Sequence, residues 1–186
     1  IINNKSLYLR SNPTEIISES NQKYFSFDGT NYITINSLIS QRAINNNEFS
    51  IFLKHKPTTD TQSGILLSRW KTNESMIIHP KSTFMLHTDK MQTFKNTNIY
   101  SLNKPNKDVW HNVLITFNKN AESDNLKIYL DNQTAIAFDT TEEEFIDSTL
   151  PISIGGFLTT NGTLKNGYVG LINDVRFYNR SLTESE

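Results

Sequence analysis

Short segments in which apolar and polar residues alternate recur along most of this chain of 186 residues. In the segment 109–118, apolar residues occupy every second position at Val113, Ile115 and Phe117. The segment 126–130 repeats the pattern. A period of two residues is typical of a strand with one face against a core and the other face in solvent. We therefore expect sheets whose apolar faces pack together.

The composition also disfavours helices. The chain contains 23 Asn and only four Ala. Asn competes with the helical backbone for hydrogen bonds, and Ala is the best helix former. The single helical candidate, 37–44, spans barely two turns and would be marginal alone. We predict an all-β antiparallel sandwich of about ten or more strands, with at most one or two short helices.

Turn residues divide the predicted strands. The turn DGTN at 28–31 separates the runs 25–27 and 32–35, and we expect these two runs to form a hairpin. The last strand, 168–178, is expected to return beside the first. Its apolar residues of one parity are expected on a single face: Val169, Leu171, Val175 and Phe177. Residues 1–23 are expected to be an extra edge strand or a linker.

Charge, hydropathy and cysteine content exclude several classes of partner and site. The formal net charge is −1, which gives no electrostatic reason to expect nucleic acid. No run of 18 apolar residues exists, so we expect no membrane insertion. Cys is absent, which excludes disulfides and thiolate metal sites. The four His residues lack the H-x-x-x-H spacing that zinc sites often show.

The chain also lacks the patterns of common hydrolases. Retaining glycosidases need two carboxylates about 5 Å apart, and jelly-roll glucanases supply them from an E-x-D-x-x-E strand. The nearest string, at 122–127, lacks the second Glu and falls in a predicted turn. A G-x-S-x-G nucleophile elbow is absent as well. We therefore predict no catalytic residues and no enzyme activity.

Four segments carry a resemblance to a known family: FSFDGTNYITI at 25–35, EFSIFLKHKP at 48–57, VWHNVLITF with LKIYLDN within 109–132, and GLINDVRFYNRSL at 170–182. In order and spacing they resemble laminin G-like domains of the concanavalin A-like lectin/glucanase superfamily. The resemblance implies one jelly-roll domain over 1–186, a sandwich of two curved antiparallel sheets. It also implies one structural Ca²⁺, for which Asp28 and Asp174 are the carboxylates at matching positions. We expect these two residues to meet where the first and last strands pair.

Candidate ligand contacts follow from what sugar recognition needs, which is an aromatic plane beside amide, carboxylate and guanidinium groups. Five residues fall in the middle third, where this family often builds its binding surface: Arg69, Trp70, His79, His87 and Tyr100. The Thr- and Asn-rich loop 157–165 is a second candidate rim. We expect Trp110 to cap the core, and His111 to hydrogen-bond to backbone rather than act as a base.

These features together predict a noncatalytic recognition module excised from a larger protein and attached to its other domains. Its partner is expected to be a glycan or a glycoprotein receptor, and its location extracellular, at a cell surface or at a virion surface. Two alternatives stay open at this point. One is a structural or oligomerisation spacer, and the other is a glycoside hydrolase with an unrecognised site.

Overall fold

A computed structural model describes residues 7–8, 16–19, 22–35, 47–59, 64–69, 84–87, 90–93, 99–101, 105–139, 151–159 and 161–186. These residues form strands and no helix. The strands in chain order are β1 (Leu7–Tyr8), β2 (Ile16–Glu19), β3 (Gln22–Asp28), β4 (Ile33–Ile35), β5 (Glu48–Pro57), β6 (Ile65–Arg69), β7 (Phe84–His87), β8 (Lys90–Thr93), β9 (Ile99–Ser101), β10 (His111–Asn118), β11 (Leu126–Leu130), β12 (Ile136–Phe138), β13 (Ile152–Ile154), β14 (Phe157–Leu158), β15 (Leu164–Lys165) and β16 (Val169–Tyr178).

Two seven-stranded antiparallel sheets contain most of these strands. Sheet A has the order β1-β4-β13-β6-β7-β8-β9, and sheet B has the order β12-β11-β10-β5-β16-β3-β2. The short strands β14 and β15 pair separately, so the loop 157–165 contains a small hairpin. The all-β sandwich expected from the alternation is confirmed.

The core lies between the two sheets and is built by the apolar parity of each strand. In sheet B, Phe49 and Ile51 of β5 pair with Phe117 and Ile115 of β10, and all four are buried. The rings of Phe49 and Phe117 lie 5.4 Å apart. Sheet A contributes buried residues such as Leu67 to the same cluster. This burial, at about 25 cal/mol per Å² of apolar surface, is the main favourable term in folding.

The first predicted hairpin is wrong. Strand β3 pairs with β2 and β16 in sheet B, whereas β4 pairs with β1 and β13 in sheet A. The turn at 29–32 therefore carries the chain from one sheet to the other. The physical reason is that Phe27 and Ile33 both belong to the core, which they enter from opposite sheets. Turn residues predict the change of direction, but they do not predict which sheet receives the next strand.

A bulge corrects the predicted face of the last strand. The pairing of β16 with β5 shifts register between Ile172 and Asp174. Before the bulge, Ile172 belongs to the core cluster between the sheets, whereas Leu171 is buried but lies outside that cluster. After the bulge, Val175 and Phe177 face the core. An extra residue in one strand switches the parity of every later residue in that strand. Leu171 and Val175 therefore point to opposite faces, contrary to the single apolar face predicted for this strand.

The expected return of the last strand beside the predicted run 25–27 is confirmed, since that run lies in β3 and β16 pairs with β3 along residues 169–172. The expected edge strand or linker at 1–23 contributes β1 to one edge of sheet A and β2 to one edge of sheet B. The helical candidate 37–44 lies outside the described residues. Within the described part of the chain, no helix is long and apolar enough to cross a membrane.

A candidate ligand-binding face on sheet B

The outer face of sheet B is the face that the strand alternation turns away from the core. Strand β5 presents Phe52 and Lys54 there, and the neighbouring strand β10 presents Asn112 and Leu114. Their strand neighbours Leu53 and Val113 are buried on the core side. The same alternation that builds the core therefore gathers polar and aromatic side chains on one exposed surface.

A groove of about 570 Å³ opens on this face. Its walls combine planar or apolar side chains with amides and charged groups. The apolar members are Phe52, Leu114, Tyr129 and Tyr178, and the amides are those of Asn112, Asn132 and Asn173. A groove of this size with convergent polar groups is typical of a small-ligand site.

The last residues of the chain form one wall of the groove. Ser50 Oγ donates to the Arg180 carbonyl and accepts from the Leu182 amide, both at 2.8 Å. This segment, 179–186, is named the C-terminal tail. Leu182 and Glu184 of the tail also line a smaller neighbouring cavity of about 320 Å³. The tail therefore lies between the groove and this smaller cavity, on the same face of the sheet.

The groove is also lined by an ion pair between Asp174 and Arg176, and Arg176 packs against the Phe52 ring. Asp174 Oδ2 lies 2.5 Å from Arg176 Nη2, and the Arg176 guanidinium lies 5.7 Å from the Phe52 ring centroid. Hydrogen bonds to Asp174 and to Tyr178 raise the pKa of Arg176. The guanidinium is thereby held in place as a fixed charge that still offers donors to a ligand.

A further carboxylate that lines the groove, that of Asp131, is hydrogen-bonded to the buried imidazole of His111. Its Oδ2 lies 2.8 Å from His111 Nδ1, and its Oδ1 accepts a 2.8 Å hydrogen bond from the backbone N–H of Asn112. His111 Nε2 lies 3.0 Å from the Asn106 carbonyl oxygen. The expectation that His111 bonds to backbone is confirmed, and its second bond fixes the orientation of Asp131.

Glu186, one of the carboxylates that line the groove, is held as a hydrogen-bond acceptor. Glu186 receives two hydrogen bonds from Arg180, at 2.8 and 2.5 Å. These bonds lower the pKa of Glu186 to about 2. A glycosidase general acid needs the opposite, a raised pKa that keeps the proton at neutral pH. The arrangement therefore suits hydrogen bonding to hydroxyl groups.

Trp110 lies on this outer face and does not cap the core. Its ring contacts the Tyr24 ring at 5.9 Å in an edge-on arrangement. The ammonium groups of Lys54 and Lys56 each lie 5.5 Å from the centre of the indole ring. The physical reason is parity, because Trp110 is one residue before the buried residue His111 and so shares the face of Asn112.

The structure describes three of the five residues predicted as ligand contacts, and these three lie at different places in sheet A. Arg69 is fully buried in β6, a strand flanked by two others, so it does not offer a surface contact to a ligand. His87 pairs with Ile65 at the opposite end of the β6–β7 ladder from Arg69. Tyr100 lies in β9, two strands farther along sheet A. Trp70 and His79 lie outside the described residues.

The two predicted calcium ligands are also separated. Asp28 pairs with Val169, and Asp174 lies five residues farther along β16, about 15 Å away at the usual rise per residue. Asp28 Oδ1 accepts from the amide and hydroxyl of Thr30, and these bonds lower the pKa of Asp28. Among the described residues, no group of three or more acidic or His side chains could hold a metal ion. These residues do not fit a shared calcium site.

The residues that line the groove are not among the predicted ligand contacts, because those contacts were expected in the middle third of the chain. A signal for them existed, since Phe52, Asn112 and Tyr129 occupy the noncore parity of three strands that the alternation identified. What the sequence did not show is that these three strands are neighbours and that the tail closes one side.

Comparison with known proteins places the fold in a family. A family model described as the concanavalin A-like lectin/glucanases superfamily matches residues 27–186. None of the curated proteins compared with the chain matches it.

Solved structures share the fold at low sequence identity. Domain 4 of AbnA, a GH43 extracellular arabinanase from Geobacillus stearothermophilus in complex with arabinotriose, has a TM-score of 0.65 at 16% identity, covering 94% of this chain and 79% of that one. The CBM40 of the Ruminococcus gnavus IT-sialidase, bound to α2,3-sialyllactose, has a TM-score of 0.62 at 16% identity, covering 87% and 92%. A Trypanosoma rangeli sialidase has a TM-score of 0.58 at 14% identity, covering 92% of this chain but only 27% of that one. The chain therefore belongs to the laminin G-like family of the concanavalin A-like lectin/glucanases superfamily.

Proposed function

We propose that the chain is a noncatalytic module that binds a glycan on the outer face of sheet B. The observation that carries the proposal is the groove of about 570 Å³, which is lined by aromatic rings, amides and charged groups. A sugar ring has an apolar face that stacks on an aromatic plane and hydroxyl groups that exchange hydrogen bonds with amides and carboxylates.

The structural neighbours support the general class of ligand. Two of them were solved with bound oligosaccharides, arabinotriose in one and α2,3-sialyllactose in the other. At 16% identity these structures share the fold alone, so the ligand of this chain has to be found by experiment. We further propose that the module works in a larger protein outside the cell, at a cell surface or on a virion, where a glycan or glycoprotein receptor is its partner.

The test is a glycan array with the purified chain, followed by calorimetry on the glycans retained. The probes include arabinotriose and α2,3-sialyllactose. We expect Tyr129→Ala to weaken binding about tenfold, equal to ~1.4 kcal/mol, because the Tyr129 ring lines both the groove and the smaller neighbouring cavity. The matched aromatic control is Trp70→Ala, which should leave binding unchanged. The reverse result would move the site to the surface predicted from the middle third of the chain.

The same experiment decides between the two alternatives. Retention of no glycan would overturn the proposal in favour of a structural or oligomerisation spacer. Release of shorter sugars from a retained oligosaccharide would instead show a glycoside hydrolase, so the reaction mixture is analysed for products after prolonged incubation.

A further inference from the structure

A patch of two lysines and one indole borders the groove. Lys54 and Lys56 are two residues apart on β5, so alternation places both on the outer face of sheet B. Each ammonium lies 5.5 Å from the centre of the Trp110 ring, and the edge of Tyr24 supports that ring from the side. These three residues, Lys54, Lys56 and Trp110, are named the indole–lysine patch.

The indole holds the two positive charges but does not neutralise them. At an exposed site, an ammonium group over an aromatic face gains only a small stabilisation. The two ammonium groups share one ring and therefore repel each other. Among the residues that the structure describes, neither lysine has a carboxylate within ion-pair distance.

The nearby acidic groups already have other partners. Asp174 is opposite Lys54 in the β16–β5 register, yet its carboxylate pairs with Arg176 at 2.5 Å. Asp131 pairs with His111 at 2.8 Å. This end of the face therefore carries positive charge with a partly exposed aromatic plane beside it, and Lys54 connects it to the groove.

We propose that the indole–lysine patch binds the anionic group of an acidic sugar whose remaining residues lie in the groove. This inference rests on the proposed glycan binding and narrows its ligand class. A carboxylate or sulfate on a sugar ring would accept charge-assisted hydrogen bonds from both ammonium groups. The apolar face of the ring would lie against the indole.

The test compares acidic oligosaccharides with their neutralised forms by calorimetry. The probes are α2,3-sialyllactose and tetragalacturonate, each beside its carboxyl-reduced form, and 3′-sulfolactose beside lactose. We expect at least one acidic probe to bind roughly ten- to a hundredfold more tightly than its neutral form, and the difference to shrink in high salt. The carboxylate and sulfate arms distinguish the two sources of the charge.

The variant Lys54→Met with Lys56→Met should lower the affinity for the acidic form much more than the affinity for the neutral form, so that the preference is lost. Lys119→Met with Lys165→Met, which also removes two positive charges but at exposed positions outside the groove, is the matched control and should retain the preference. Lys54→Arg with Lys56→Arg should retain the preference, because it keeps both positive charges. Thermal melting of each variant shows whether it folds.

Two results would overturn the inference without touching the proposed function. One is equal affinity for acidic and neutral glycans, or binding of neutral array glycans alone. The other is an acidic preference that survives the double Met substitution. Failure of every glycan, acidic or neutral, would instead overturn the proposed function itself.

Discussion

His55 is a titratable side chain enclosed in the core of the protein. It is fully buried, and its Nδ1 lies 3.2 Å from the Tyr168 hydroxyl. Burial, and then the neighbouring His111 ring at 5.8 Å, lower the pKa of His55 to about 3. The folded chain therefore keeps this imidazole neutral at pH values where the unfolded chain, with an ordinary pKa near 6.5, already protonates it.

We expect His55 to make the protein less stable in acid. The unfolded state binds a proton at His55 that the folded state does not bind. The free energy of unfolding therefore falls as the pH drops from about 6.5 towards 3, by at most about 1.4 kcal/mol per pH unit. The measurement is the free energy of unfolding in denaturant at several pH values. His55→Gln should flatten the dependence in this window, and an equal slope in both proteins would contradict the assignment.

The position of His55 could be predicted from the sequence, but its partners could not. Alternation through Ile51 and Leu53 places His55 on the core side of β5. Its contact with Tyr168 depends on a residue more than a hundred positions away, just before the last strand. Trp110 shows the opposite case, since size alone suggested burial in the core while parity placed it outside. Parity was the stronger of the two signals.

Strand β5 is the element that organises both the core and the candidate site. It pairs with β10 on one side and β16 on the other, in the middle of sheet B. Its core parity contributes Phe49, and its outer parity contributes Phe52 and the attachment point of the tail at Ser50. The strands themselves were predictable from period-two patterns. Which strands are neighbours was not, because pairing joins segments distant in sequence.

Removing the Ser50 hydroxyl should loosen the C-terminal tail. We expect Ser50→Ala to cost about 1–2 kcal/mol of stability, because it removes hydrogen bonds to the Arg180 carbonyl and the Leu182 amide. Hydrogen exchange should become faster at Leu182, while the core strand β10 changes only by the global loss. Ser123→Ala, in an exposed turn, is the control. Unchanged exchange at Leu182 would show that other contacts hold the tail.

On the scale of the whole molecule, the sequence predicted the architecture, whereas the residues that line the groove are not among its five candidate ligand contacts. The two antiparallel sheets and the pairing of β3 with the last strand, β16, follow from alternation and from the family motifs. The groove depends on how the tail crosses sheet B, and no local pattern encodes that crossing. The predicted meeting of Asp28 and Asp174 failed for a related reason, since strands that pair still separate residues at their opposite ends.

We expect calcium to have no stabilising effect through Asp28 and Asp174 jointly. A ligand that binds only the folded state raises the melting midpoint by mass action. Melting is measured with calcium chloride and with chelator for the unsubstituted chain, Asp28→Asn and Asp174→Asn. The shift between the two conditions should be the same in all three proteins. Loss of a calcium-dependent shift in both variants would show that Asp28 and Asp174 do hold calcium together.

The extra residue in the final strand also affects how this chain is compared with others. Core positions are even-numbered at Tyr168 and Ile172 and odd-numbered at Val175 and Phe177. A relative whose final strand runs without the irregularity keeps one parity throughout. Aligning the two correctly requires a one-residue gap at Asn173, inside a strand, where gaps are normally penalised. An ungapped alignment would match interior side chains of one protein with solvent-facing side chains of the other.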